Sequence, residues 1–164
     1  MEATLHPDGR LLLGGATYRA ALGARGVSLF KEEGDKTTPG GTLPLRRVLY
    51  RADRVKPPLC SVPLEPIGRA DGWGDDPLHR DYNRMVRLPH AGRCEELWRT
   101  DGLYDVIGVL GWNDRPVERN RGSAIFLHVA RADFGPTEGC IALSLADLLL
   151  VLSQGLTAVN VVAS

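Results

Sequence analysis

Two short apolar runs constrain the fold of this 164-residue chain more than any other feature. They read LYDVIGVLGWN, from Leu103 to Asn113, and SAIFLHVA, from Ser123 to Ala130. Both are rich in apolar and β-branched residues and are bounded by Gly, Asn, Asp or Pro, a composition typical of strands. They therefore predict two central strands of a sheet.

Turn and capping signals predict further strands and one well-defined helix. RLLLGGATYRAALG predicts a hairpin that reverses at Gly14-Gly15, and two more strands are expected, near residues 45–50 and 156–164. In SLADLLLVLSQG, Ser144 is placed to cap the start of a helix and Gly155 to end it. We expect a mostly β chain with one or two helices, forming one domain over its whole length.

Two long segments fit neither pattern. VKPPLCSVPLEPIG, from Val55 to Gly68, holds four prolines, whose fixed φ and missing N–H argue against a helix or a central strand. It is either a stiff surface connection or a rigid wall of a substrate cleft. From Asp71 to Leu97 the chain is polar and aromatic with little periodicity, which predicts a long ordered loop of the kind that often carries function.

Composition excludes several classes of function. The chain has 20 basic and 20 acidic residues, and the basic ones are scattered, so we expect no nucleic-acid partner. No run of about 18 apolar residues predicts a membrane span, and the start MEATLHPDGR lacks the features of an export signal. Of the three cysteines none lies in a Cys-x-x-Cys, so we expect no structural metal and at least one free thiol.

The segment from Phe126 to Cys140 holds the residues with the clearest chemistry. Period-two alternation places one set of side chains on one face of the strand and the other set opposite. The first set is Ala124, Phe126, His128 and Ala130; the second is Ile125, Leu127 and Val129. His128 then comes near the end of the strand, and the loop RADFGPTEG brings Cys140 back towards it.

A thiol, an imidazole and backbone amides are the parts that cysteine catalysis needs. The imidazole generates the thiolate, and amide N–H groups, here those of Gly139 and Cys140, stabilise the oxyanion that develops in acyl transfer. Spacing alone leaves a second interpretation open, because free cysteines and strand histidines are often packed in a core.

Two motifs together resemble the catalytic domain of the L,D-transpeptidase (YkuD) family. The segment Thr137-Glu138-Gly139-Cys140, with His128 upstream, is similar to the family's His followed by Ser/Thr-x-Gly-Cys. TPGGTL, from Thr38 to Leu43, is similar to its Thr-Pro-x-Gly-x-Phe, with leucine in place of the aromatic residue. The resemblance covers nearly the whole chain and implies a sandwich-like or barrel-like β fold.

What the resemblance implies is a peptidoglycan enzyme without a cofactor. Cys140 would attack a stem-peptide carbonyl, typically of meso-diaminopimelate, and expel D-Ala to form a thioester that an amine of a neighbouring stem resolves. His128 would shuttle the proton, and Gly139 with Cys140 would form the oxyanion hole. Peptidoglycan stem peptides would be the substrates, carbapenems would acylate the thiol, and the periplasm or cell envelope would be the place of action.

Departures from the family pattern bear on substrate choice. Where the commonest form reads Ser-His-Gly-Cys-Ile-Arg, this chain has Glu138 for the His and Ala142 for the Arg. It looks most like a short proteobacterial branch that lacks this Arg, which includes enzymes resembling 1,3-type transpeptidases. We therefore favour a 1,3 cross-link, from L-Ala to diaminopimelate, slightly over the usual 3,3 cross-link.

Weaker expectations concern the walls of the site and the chemistry of the thioester. Substrate-binding candidates are Thr137, Glu138, Tyr82, Asn83, Arg84 and Trp73. Asp133 is a candidate to orient His128, although in the family a backbone carbonyl often does so. Alternatives to the transpeptidase are an L,D-carboxypeptidase, in which water resolves the thioester, and a non-catalytic wall-binding module.

Overall fold

Short strands dominate the structure, a computed structural model that describes residues 1–163. Within that range they are β1 (Glu2–Leu5), β2 (Arg10–Leu13), β3 (Ala16–Arg19), β4 (Val27–Ser28), β5 (Thr38–Pro39), β6 (Gly41–Tyr50), β7 (Leu64–Pro66), β8 (Asp71–Gly74), β9 (Met85–Arg87), β10 (Cys94–Glu96), β11 (Val106–Leu110), β12 (Phe126–Val129), β13 (Ile141–Leu143) and β14 (Ala158–Val161). A single helix, α1 (Leu145–Ser153), accompanies them in the same range. The prediction of a mostly β fold is confirmed.

The main sheet closes on itself. Its strands follow the order β13-β12-β11-β6-β14-β1-β2-β3, and β7 pairs with β6. Just beyond β3, Ala21 and Ala142 of β13 exchange backbone hydrogen bonds of 2.8 and 3.0 Å. Because these bonds join the two ends of the sheet, the barrel-like form that the family resemblance implied is confirmed.

The predicted hairpin and helix form as the sequence indicated. β2 and β3 pair through a two-residue turn in which Gly14 and Gly15 have φ of +58° and +82°, values that glycine adopts without strain. The Ser144 hydroxyl accepts the Asp147 N–H at 3.2 Å and caps α1. In residues 1–163 no helix has the length and apolarity that crossing a membrane requires.

The alternation predicted along β12 separates two hydrophobic clusters. Ile125 and Leu127 belong to the larger cluster, which the buried side of α1 completes. Phe126 belongs to a smaller cluster with Tyr104, whose ring meets Phe126 edge-on at a centroid distance of 5.7 Å. His128 lies on the face of the smaller cluster, and its ring is 5.4 Å from that of Tyr104. β12 thus has one face in the larger cluster and the other in the smaller one.

The prediction of a loop from Asp71 to Leu97 was wrong in one respect. The segment contains β8, β9 and β10, which form a small antiparallel sheet in the order β10-β8-β9. Each strand has only three or four residues, too few to show an alternating pattern, and pairing between them depends on backbone hydrogen bonds that sequence periodicity does not report.

The proline-rich segment from Val55 to Gly68 is a surface connection. Its β7 runs parallel to β6, and Val62 and Leu64 pack against the larger cluster. None of its residues lines the cavity that holds Cys140 and His128. Parallel pairing with β6 holds the segment against the core, and its position near a substrate cleft stays a prediction.

Candidate active site

A cavity of about 380 Å³ brings the predicted catalytic residues together. Cys140 and His128 both line it, and so does the loop from Thr137 to Gly139 that precedes the thiol. His128 comes from β12, and Cys140 stands immediately before β13, the parallel neighbour in which Ala142 is paired with His128. Parallel pairing of these two strands is thus what places a thiol and an imidazole at one cavity.

The Cys140 side chain is held as a neutral thiol. Its Sγ donates a hydrogen bond to the Ala124 carbonyl at 3.1 Å and accepts one from the Phe126 N–H at 3.4 Å. Burial, followed by the nearby Glu95 carboxylate, raises the pKa of the thiol to about 12. In this state the thiol needs a base before it can act as a nucleophile.

His128 is oriented as such a base. Its Nδ1 lies 2.9 Å from the Val129 carbonyl, and because a carbonyl only accepts, Nδ1 carries the proton and Nε2 keeps a free electron pair. Burial lowers the pKa of His128 to about 4, so the ring is neutral near neutral pH. Asp133, the other candidate for orienting the ring, instead accepts the Gly135 N–H in its own loop at 2.8 Å.

No hydrogen bond joins Cys140 to His128 within residues 1–163. The thiol points at the Ala124 carbonyl, so proton transfer to Nε2 requires a rotation of the cysteine side chain away from that carbonyl. Catalytic hydrogen bonds are often long or misaligned before substrate binds. The arrangement supplies a neutral acid and a neutral base, which is the correct pairing for general-base activation of a thiol.

The loop before Cys140 is shaped by the Thr137 hydroxyl. Thr137 Oγ1 donates to the Cys140 carbonyl at 2.7 Å and accepts the Gly139 N–H at 3.1 Å. Gly139 has φ of +144°, and a Cβ on it would lie 2.7 Å from the Thr37 carbonyl oxygen, so only glycine fits. Among the hydrogen bonds of residues 1–163 none uses the Cys140 N–H, which leaves that donor available to a ligand.

The Thr38–Leu43 motif lies behind this loop and supports it. The Thr38 side chain is fully buried, and its Oγ1 accepts the Gly23 N–H at 2.9 Å. The adjoining segment holds the loop before Cys140 directly, since the Ala24 N–H donates to the Thr137 carbonyl at 2.9 Å. The two motifs that lie about a hundred residues apart in sequence therefore form one structural unit.

Sequence reasoning missed a buried lysine beside the loop. Lys31 is 3% exposed and forms an ion pair of 2.9 Å with Asp35. Although burial of the Asp35 carboxyl opposes its ionisation, the N–H groups of Glu32 and Thr37, together with Lys31, lower its pKa to about 2. Lys31 Nζ would be 3.2 Å from a Cβ at Gly139. In the sequence, only the four-residue spacing of Lys31 and Asp35 indicates this ion pair.

Three of the weaker substrate-binding candidates are buried and serve the fold. Asn83 accepts the Trp73 indole N–H at 2.9 Å and the Ala124 N–H at 3.0 Å, and it donates to the carbonyls of Trp112 and Asn113 at 2.9 and 2.7 Å. The Tyr82 hydroxyl donates to Glu33 at 2.8 Å.

None of Trp73, Tyr82, Asn83 and Arg84 lines the cavity. Of the six candidates, only Thr137 and Glu138 do so. Asn83 is buried and has φ of +55°. Its side-chain amide makes hydrogen bonds that backbone pairing would otherwise make near the start of β12. These bonds, and not a ligand, explain why Asn83 is buried.

One cluster has the composition of a metal site. Ligand atoms of His79, Asp81 and His90 lie within 4.8 Å of one another. However, His79 Nδ1 already accepts the Asp81 N–H at 3.0 Å, and His90 Nδ1 accepts the Gly92 N–H at 3.0 Å, so that His90 Nε2 donates to Asp81 at 2.8 Å. Both ring nitrogens of His90 are thus engaged, and a cation at this cluster would have to displace one of the two His90 bonds.

Comparison with known proteins agrees with the geometry. A family model described as L,D-transpeptidase catalytic domain, YkuD, matches residues 6–161. No curated protein and no solved structure matches the chain. The match spans nearly the whole sequence and contains both motifs, the buried support of the loop and the cavity with its thiol and imidazole. The chain belongs to the L,D-transpeptidase catalytic domain (YkuD) family.

Proposed function

We propose that this protein is a cysteine-dependent L,D-transpeptidase that joins peptidoglycan stem peptides. The observation that carries the proposal is the shared cavity of Cys140 and His128, in which the imidazole has a free Nε2 and the thiol is neutral. The family to which the chain belongs is typically cysteine-dependent, and its substrates are in the bacterial cell wall. The proposed place of action is accordingly the periplasm or cell envelope.

The proposed reaction proceeds through two acyl transfers. His128 Nε2 takes the proton of the Cys140 thiol, and Sγ attacks the carbonyl carbon at the L-centre of the donor stem. The Cys140 N–H donates to the oxyanion, and the bond to the next residue of the donor stem breaks as His128 returns the proton to the amine of that residue. In the favoured 1,3 reaction the leaving amine is that of the residue after L-Ala, and in a 3,3 reaction it is that of D-Ala. An acceptor amine then attacks the thioester, gives its proton to His128, and the thiolate leaves and is reprotonated.

The oxyanion hole needs a second donor besides the Cys140 N–H. Gly139 N–H, the other donor expected from the sequence, is bonded to Thr137 Oγ1 in this structure. A small rotation of the Gly139 peptide would release it, and glycine allows such a change at little cost. We therefore retain Gly139 and Cys140 as the proposed pair.

Ala142 supports the proposed preference for a 1,3 cross-link. It lines the cavity and is 1% exposed, and both of its backbone groups are bonded to Ala21. A long basic side chain at this position would occupy the cavity beside His128, whereas the methyl group leaves that space open. Donor recognition in this protein must therefore differ from that of members with Arg, and we propose L-Ala to diaminopimelate as the bond formed.

Purified muropeptides test the reaction class. Incubation with the protein is expected to yield cross-linked dimers, and tandem mass spectrometry of these dimers distinguishes 1,3 from 3,3 bonds. The variant Cys140→Ala should give none, whereas Cys60→Ala, which changes a thiol outside the cavity, should act as wild type. If the protein yields trimmed monomers and no dimers, it is an L,D-carboxypeptidase and not a transpeptidase.

Carbapenem capture tests the nucleophile separately. Wild-type protein is expected to gain the mass of one carbapenem, and Cys140→Ala is expected to gain none. A protein that captures no carbapenem and leaves muropeptides unchanged would be a non-catalytic wall-binding module.

A further inference from the structure

Glu95 is a carboxylate of the active-site cavity that lacks a cationic partner. Four cations of the described residues also line the cavity: Lys31 and Arg99 are paired with Asp35 and Asp101, and neither Lys36 nor Arg131 forms an ion pair with Glu95. Within residues 1–163 no Lys, Arg or His nitrogen lies within salt-bridge distance of Glu95, whose one hydrogen-bond donor from a side chain is the Tyr104 hydroxyl. A largely buried carboxylate with one neutral donor is a costly arrangement that a cationic ligand would relieve.

The position of Glu95 connects it to both catalytic side chains. It stands in the middle of β10, opposite Trp73 of β8, and so faces the smaller hydrophobic cluster. The ring of Tyr104, which holds Glu95, meets the His128 ring edge-on. Cys140 packs against the same cluster. Glu95, the thiol and the imidazole therefore surround one volume, and Tyr104 is their common neighbour.

We propose that Glu95 binds an ammonium group of the stem peptide and that this pairing makes Cys140 more acidic. The inference rests on the proposed function, and it adds a residue that selects the substrate by charge and couples binding to activation of the nucleophile. Stem peptides carry such a group at the free centre of diaminopimelate, and the donor stem, which binds before Cys140 is acylated, would bring it to Glu95.

The charges around Cys140 show how the coupling operates. With the cavity empty, Glu95 and Glu138 oppose formation of the thiolate, and Lys31, which is itself paired with Asp35, favours it. Arg99 and Asp75 are the other charged groups that act on Glu95. An ammonium group at Glu95 would offset the largest nearby negative charge, so the thiolate would form more readily when substrate is present. The empty enzyme keeps a protonated thiol, which resists oxidation.

Alkylation of Cys140 by iodoacetamide, followed by peptide mass spectrometry, tests the inference without any cross-linking assay. Lowering the thiol pKa by one unit raises the thiolate fraction tenfold, and because nucleophilicity falls at the same time, the rate below the pKa rises about threefold. We expect at least this increase in Glu95→Gln at pH 8. The matched control Glu96→Gln, on the other face of β10 and outside the cavity, should react as wild type.

Small ligands extend the test to a wild-type protein, which removes any dependence on folding of the variant. Saturating N-acetyl-lysine amide should accelerate alkylation of wild-type Cys140 about threefold or more, whereas N-acetyl-norleucine amide, which lacks only the ammonium group, should not, and Glu95→Gln should respond to neither. Equal effects of the two amides, or an unchanged rate in a folded Glu95→Gln, would overturn the inference. If the protein still captures a carbapenem at Cys140, that result leaves the proposed function standing.

Discussion

Protonation of His128 is expected to destabilise the fold. The ring is 7% exposed in the folded protein, where burial lowers its pKa to about 4, against about 6.5 in an unfolded chain. Between these values the unfolded state binds more protons than the folded state, so stability falls as the pH is lowered from 6.5 to 4. The loss at pH 4 from this one group is about 3 kcal/mol.

Urea denaturation of wild type and His128→Gln measures this loss. The change in the free energy of unfolding between pH 7 and pH 4 is determined for each protein, and the two changes are compared. Carboxylates such as Asp35 also titrate at acid pH, but they do so in both proteins and cancel. With a urea dependence of about 2 kcal/mol/M, the wild-type midpoint should move roughly 1.5 M further than that of the variant between pH 7 and pH 4. Equal shifts in both proteins would show that His128 is not buried as a neutral ring. That result would contradict its proposed role as a base.

Three further predictions follow from the loop and its support. Gly139→Ala should cost about 2 kcal/mol or more and abolish carbapenem capture, because the new Cβ meets the Thr37 carbonyl; Gly15→Ala, with positive φ but open space, should keep capture. Asn83→Ala, which removes four hydrogen bonds, should lower the melting temperature by roughly 10 °C in calorimetry, and a change under about 3 °C would contradict its structural role. The acid limb of carbapenem acylation should have an apparent pKa near 4, and a limb at about 6.5 would refute the buried neutral His128.

Local signals in the sequence were sufficient for several elements. The two glycines of the β2–β3 turn, the Ser144 cap and the alternation along β12 each depend on a few adjacent residues, and the structure has all three. The two motifs placed Cys140 and His128 at one site for the same reason, because the loop between them is short and its ends are fixed by strands.

Non-local pairing explains what the sequence did not predict. The strands β8, β9 and β10 are too short for periodicity, and their pairing brings Glu95 to the cavity from a segment whose sequence predicts a loop. The structural role of Asn83 was not predicted for a related reason. A buried polar side chain is recognised by its partners, and the partners of Asn83 lie 10 to 41 residues away in sequence.

The separation of the two family motifs now has a physical explanation. Gly139 must approach the Thr37 carbonyl closely, and the Thr38 hydroxyl must hold the Gly23 N–H, so that the chain at residues 23–24 is in place to bond Thr137. Thr38 and Gly139 are therefore each required by a contact outside their own motif. Because the loop from Thr137 to Cys140 contains neither helix nor strand before β13, this support is what fixes the direction of the Cys140 N–H, and loss of it should affect carbapenem capture before it affects the fold.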